Sequence, residues 1–193
     1  GFDPTDPPPP PIATFDRHAP VVTVGSLSKV FWGGLRTGWL RAPAALVEAL
    51  VERRLAVDLG SPVIDQHVAL ALIPSYAEVA AGRARQLAAG HAHLTTSLAR
   101  ALPEWETAPA RGGLSAWIRV PGVDAAALAA VAARHGVTII PGSRTAVHGT
   151  YTDHVRLTVV LPTDVMDAAV DRLVAAWDEL RSGPTTAHRS LVV

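Results

Sequence analysis

The 193-residue chain has no cysteine and a single methionine, and among its 17 basic residues only one, Lys29, is a lysine. Without cysteine there is no disulfide, no thiolate metal site and no thiol nucleophile. No charge of either sign is in excess: 17 Lys and Arg face 17 Asp and Glu, a formal net charge of +0. That excludes a broad electrostatic footprint for nucleic acid or an anionic membrane. No stretch reaches the ~18 uncharged apolar residues of a membrane span. The opening GFDPTDPPPP lacks the basic and apolar regions of a secretory leader. A cytoplasmic location and no membrane partner are expected. Charged residues make up only 18%, but hydrophobic ones reach 49%, enough to build a core.

The near absence of lysine singles out Lys29. A composition this rich in Arg and Ala thins out lysines that carry no task. Chance survival is the plain alternative.

Along the chain, the prolines at 7–11 read as a polyproline lead-in. Residues 21–24 are a β-branched strand ending at Gly25, residues 26–34 a loop, and residues 36–40 a second strand. Pro43 opens a helix whose Leu46, Val47, Leu50, Val51 and Leu55 recur at helical spacing. Ser61-Pro62 starts another, stopped by Pro74. Ser75 and Glu78 match a capping box, and a long helix follows to Leu102, where Pro103 ends it. Beyond it, residues 114–120, 137–140 and 154–161 read as strands. Asp124 caps a helix ending at Gly136, and Thr163 caps one running through Leu180. The organisation read from this is a domain remnant at 1–60, linking helices at 61–103, a small α+β domain at 104–183 and a frayed tail at 184–193.

One segment concentrates chemistry. In GSLSKVFWGGLRTGW, Ser26 and Ser28 sit three and one residues before Lys29, and Arg36 seven after it. Hydroxyls donate to phosphate oxygens, and a guanidinium forms a bidentate pair with them. The glycines let backbone approach closely. Desolvation and a neighbouring cation both lower a lysine pKa, which makes the amine nucleophilic. An amine beside a phosphate suits an aldehyde that carries a phosphate, namely pyridoxal phosphate (PLP).

The segment resembles the lysine loop of fold-type I PLP enzymes of the class I/II aminotransferase family. In detail it is most similar to the aminotransferase-like domain of MocR-type (GntR superfamily) transcriptional regulators. Gly112-Gly113-Leu114 with Trp117, Pro141-Gly142-Ser143, and His154-Val155-Arg156-Leu157 before a helix containing Trp177 fit the same pattern. The resemblance implies an α/β to α+β chain: the end of the large PLP-binding domain, a long linking helix and a whole small C-terminal domain. It implies that Lys29 forms the internal Schiff base, that Ser26, Ser28 and Arg36 hold the cofactor phosphate, and that Arg156 clamps the α-carboxylate of an amino acid. Period two along the 154–160 strand independently puts Arg156 on the face away from the apolar Val155, Leu157 and Val159.

Other residues are read more plainly. Trp32 and Trp39 are expected in the core or at a dimer contact. His67, His91 and His93 are expected to be solvated, and no grouping suggests a metal. Tyr151 and Arg144 are read as surface-loop residues. The family's remaining cofactor contacts, including the acid that pairs with the pyridine nitrogen, lie upstream of the lysine strand. Only 28 residues precede Lys29 here. Weak or absent PLP retention, self-association as a homodimer and no turnover by this chain alone are therefore expected. Direct nucleic-acid binding is not expected; an upstream winged helix would do it. Three functions stay open: an amino-acid-sensing effector domain of a regulator, a true aminotransferase, and an interaction module without cofactor.

Overall fold

Period-two and helical patterning become two units in the computed structural model, which describes residues 9–15, 18 and 20–183. Pro7, Pro8 and the tail at 184–193 lie outside them. The units meet within the longest helix, between Ala84 and Arg85. In the lead-in, Pro11 has the φ −54°, ψ 143° of polyproline II.

In the first unit, β1 (Thr23–Ser26) pairs antiparallel with β2 (Gly38–Arg41), with Ser26 opposite Gly38 and Gly25 opposite Trp39. The second strand starts two residues later than expected, because Arg36 takes a left-handed turn at φ 49°. Two helices follow, α1 (Ala44–Leu55) and α2 (Val63–Leu72). Pro74 does not end the helical path. It lies in a one-turn 3-10 helix, Ile73–Ser75, that runs straight into α3 (Tyr76–Ala101). The expected capping box does not form: the Ser75 hydroxyl donates back to the Leu72 carbonyl at 2.9 Å. Among the described residues only Leu27, Leu35 and Ala69 form a buried cluster here, with Phe31 and Leu72 packed on it. No residue of α1 is buried, despite its apolar spacing.

The second unit holds the core. Its sheet runs in the order β3-β4-β6-β5, all antiparallel. The strands are β3 (Glu106–Thr107), β4 (Ser115–Arg119), β5 (Ile140–Pro141) and β6 (His154–Thr158). The central ladder pairs Ser115 with Thr158 and Arg119 with His154. Ala116, Ile118, Val155 and Leu157 are buried in one cluster with Leu94 and Leu98 of α3, Leu128 of α4 (Ala125–Arg134) and Leu173 and Trp177 of α5 (Thr163–Ser182). The helices therefore cover one sheet face and leave the other open. Gly90 marks the tightest approach of α3: a Cβ there would lie 2.3 Å from the Val159 carbonyl oxygen.

Helix ends explain the remaining differences. Asp124 caps α4 as expected, accepting from Ala126 at 2.7 Å and Ala127 at 3.1 Å. After it Gly136 has φ 76°, and the Val137 amide donates back to Ala132. Val137 is thus spent on terminating α4, and the strand expected from there begins only at Ile140. Thr163 is the first residue of α5, not its cap; Pro162 occupies that position without a side-chain bond. The short β3 was not foreseen, since two residues carry no periodicity.

Candidate functional site

The lysine loop is a closed structure. It leaves β1 at Ser26 and rejoins β2 at Gly38, and the Leu27 amide donates to the Thr37 carbonyl across its mouth at 3.1 Å. Leu27 opens a 3-10 turn, Leu27–Lys29, and accepts from the amides of Val30 and Phe31. Leu27 and Leu35 are buried against Ala69 of α2, and Phe31 meets Tyr76 edge-on at 6.1 Å. Apolar residues before and after Lys29 thus hold the turn down, while Lys29 itself is exposed and Ser28 half-buried. Ser26 and Arg36, one at each end, are exposed.

Trp32 and Trp39 are not core residues. They are 69% and 52% exposed, and their rings lie against glycines of the same loop. A Cβ on Gly34 would sit 2.2 Å from Trp32, and one on Gly25 2.2 Å from Trp39. Those glycines are needed for space to seat an indole.

The donor set on this loop is two hydroxyls, one amine and one guanidinium, with no carboxylate in residues 20–47. That chemistry fits the phosphate and aldehyde ends of PLP. Nothing in the same stretch could pair with a pyridine nitrogen.

Arg156 lies in the second unit, on the open sheet face. The strand alternates as expected, with Val155 and Leu157 buried and Arg156 and Thr158 exposed. Arg156 makes no ion pair among the described residues, in contrast to its neighbours. Arg119 binds Asp153 at 2.8 Å and Glu106 at 3.0 Å. Its guanidinium holds the Asp153 carboxyl below the usual range, with help from His154.

Three features of this face were not read from sequence. Tyr151 is the exposed loop residue expected, but its ring also meets Trp117 at 5.6 Å and His154 at 5.2 Å, both edge-on. Trp117 stacks on His154 at 5.3 Å and 24°. The His154 Nδ1 lies 2.7 Å from Asp153. The signal available was Pro141-Gly142: a Cβ on Gly142 would come within 2.9 Å of the Trp117 ring and 2.5 Å of the Tyr151 carbonyl oxygen.

The expected solvation of the helix histidines is also corrected. His91 is only 7% exposed, and burial pushes its pKa down. His93 is half-buried and bonds Asp167 of α5 at 2.7 Å. His67 is exposed. Among the described residues no cluster of three or more His, Asp or Glu side chains could hold a metal ion, and no helix is long and apolar enough to cross a membrane.

The model of the family "Aminotransferase class I and II" matches residues 1–173. The chain belongs to that family. Among curated proteins, this aminotransferase domain is similar to the HTH-type transcriptional regulator YdfD of Bacillus subtilis, 33% identical over 141 residues, 70% of this chain and 29% of the relative. It is also similar to the HTH-type transcriptional regulator NorG of Staphylococcus aureus, 36% identical over 61 residues, 32% of this chain and 14% of the relative. Among solved structures, the α-aminoadipate aminotransferase LysN of Thermus thermophilus, complexed with N-(5'-phosphopyridoxyl)-L-leucine, superposes with a TM-score of 0.80 at 26% identity. It covers 89% of this chain and 45% of LysN. A multiple substrate aminotransferase of Thermococcus profundus gives the same TM-score at 23% identity, which shows the shared fold, over 94% of this chain and 46% of that one. The chain spans less than half of each of these relatives. The fold is that of fold-type I aminotransferases, in the mixed helix and antiparallel-sheet form described above.

Proposed function

We propose that this chain is the C-terminal part of an aminotransferase-like effector domain in a MocR-type regulator; the longer protein binds PLP and an amino acid, and this chain alone retains PLP only weakly. The observation that carries the reading is the pinned loop that carries Ser26, Ser28, Lys29 and Arg36, in a chain related to helix-turn-helix regulators. PLP, when bound, supplies a reactive aldehyde and a phosphate. On this reading Ser26, Ser28 and Arg36 bind the phosphate, Lys29 presents its Nζ to the aldehyde carbon, and Arg156 in the second unit binds a ligand carboxylate. A regulator needs no turnover; it needs only a ligand that favours one conformation over another. DNA contact belongs to a winged helix elsewhere in the longer protein, in a cytoplasmic setting. The uncovered apolar side chains of α1 and α2, such as Val51, Leu55 and Ile64, support a homodimer.

The single lysine makes the test simple. The chain is incubated with PLP, reduced with borohydride and mapped by peptide mass; Lys29 and the N-terminus are the only amines. An adduct on Lys29 that is lost in Arg36→Ala supports the reading. An adduct confined to the N-terminus overturns it for this chain. The likeness to LysN favours a second reading, a genuine aminotransferase. Release of a 2-oxo acid from an amino acid by the longer protein would decide for that reading.

A further inference from the structure

The open sheet face around Arg156 is ordered in rows. Register places Trp117 opposite Arg156 and Arg156 opposite Ile140. The next row runs Glu106, Arg119, His154. Directly paired residues on one face have Cβ atoms about 4.5–5.5 Å apart. Trp117 is therefore rooted beside Arg156, but its ring leans into the next row. It stacks on His154, and its tip stops above Gly142. One indole face is thus taken by the imidazole, and the other is left to the row of Arg156.

Ring contacts and one hydrogen bond set this arrangement. Tyr151 meets both rings in edge geometry, and it does so with φ 61°, a left-handed conformation that a non-glycine residue adopts only at a cost. His154 is oriented by Asp153, which Arg119 also holds. Glu106 of the neighbouring row and Asp153, just before His154, are both engaged by Arg119. The guanidinium of Arg156 is left uncompensated beside an aromatic wall.

A carboxylate-binding cation next to a fixed π-face suits a carboxylate with a flat apolar side chain. We propose that Trp117, backed by His154 and Tyr151, is the specificity wall of the Arg156 site and selects an aromatic amino acid. The proposal rests on the reading of Arg156 as a carboxylate clamp. It adds the identity of the side chain.

The test uses this chain and probes that need no cofactor: propionate, 4-methylpentanoate and 3-phenylpropionate. Each is titrated while the indole N–H signals are followed by NMR, with the Trp117 signal assigned by its loss in Trp117→Leu. The expected result is that 3-phenylpropionate binds at least about fivefold tighter than the two aliphatic acids and shifts the Trp117 signal. Trp117→Leu should remove that preference and keep the weaker carboxylate binding, and Arg156→Gln should weaken all three. Equal affinity for the three acids in the unaltered chain overturns the wall and leaves the clamp standing. So does a Trp117→Leu variant that loses all three alike. Binding that Arg156→Gln leaves unchanged, or no binding at all, overturns the clamp and the wall with it.

Discussion

Arg36 combines two demands that pull against each other. Its guanidinium is wanted for an anion, yet its backbone sits at φ 49°, where a side chain costs roughly 1 kcal/mol relative to glycine. The position accepts that cost because Leu35 is buried just before it and Thr37 closes the loop just after it. Arg36→Gly therefore separates the two demands. Its thermal midpoint should be unchanged or slightly raised, by up to about 1 kcal/mol in stability. Its trapping of PLP on Lys29 should fall as far as in Arg36→Ala. A glycine variant that traps as well as the parent would show that the guanidinium does not hold the phosphate. Gly142 is the opposite case, a position where any side chain collides. Gly142→Ala places a methyl 2.5 Å from the Tyr151 carbonyl oxygen and 2.9 Å from the Trp117 ring. It should cost about 1–3 kcal/mol, read as a lowered denaturation midpoint.

At the scale of elements, the long helix is limited by one contact. Alanine normally improves a helix interior over glycine by roughly 1 kcal/mol. At Gly90 of α3 the added methyl would meet the Val159 backbone 2.3 Å away, and backbone, here just past the end of β6, cannot yield as a flexible side chain can. Gly90→Ala is therefore expected to destabilise despite its better propensity, and chemical denaturation would show the sign. The sequence carried much at this scale. The period-two face of β6, the Asp124 cap and the reach of α3 were all legible, because each depends on neighbours close in the chain. The loop around Lys29 and the two strands that bound it were legible for the same reason. What was not legible depended on distant partners. Whether His93 is solvated is decided by Asp167 on α5, and the ring contacts of Tyr151 by Trp117 on β4. Val137 looked like strand because its pattern is apolar, but its amide is used to end α4. Trp32 and Trp39 read as core or dimer contacts; within this chain they are exposed, and Gly34 and Gly25 give each ring a local seat.

Across the whole molecule, the second unit is tied together by carboxylates that are held ionised. Asp167 on α5 accepts from His93 and Ser97 of α3. Glu179, also on α5, accepts from Arg134 and His135 at the end of α4. Glu104 accepts from Trp177 at 2.6 Å and from Arg181. Each of these carboxyls is held below its usual range, by its hydrogen-bond donors first. A carboxyl whose pKa is lower folded than unfolded binds more protons in the unfolded chain. Its contribution is complete above the unfolded value, near pH 4, and is lost as pH falls through the folded one. The thermal midpoint of this chain should therefore show no carboxylate-driven loss between pH 7 and 5, then fall steeply below about pH 4. Asp167→Asn together with Glu179→Gln should lower the midpoint at pH 7 and flatten the acid limb, since the linked protons are gone. An acid limb of unchanged steepness in that double variant would mean that the ties to α5 do not govern the acid response. Salt gives the second arm of the same test. The Arg134–Glu179 and Arg181–Glu104 ion pairs are exposed or half-exposed, so raising ionic strength should weaken them at pH 7 and leave the buried cluster around Ile118 and Leu128 untouched.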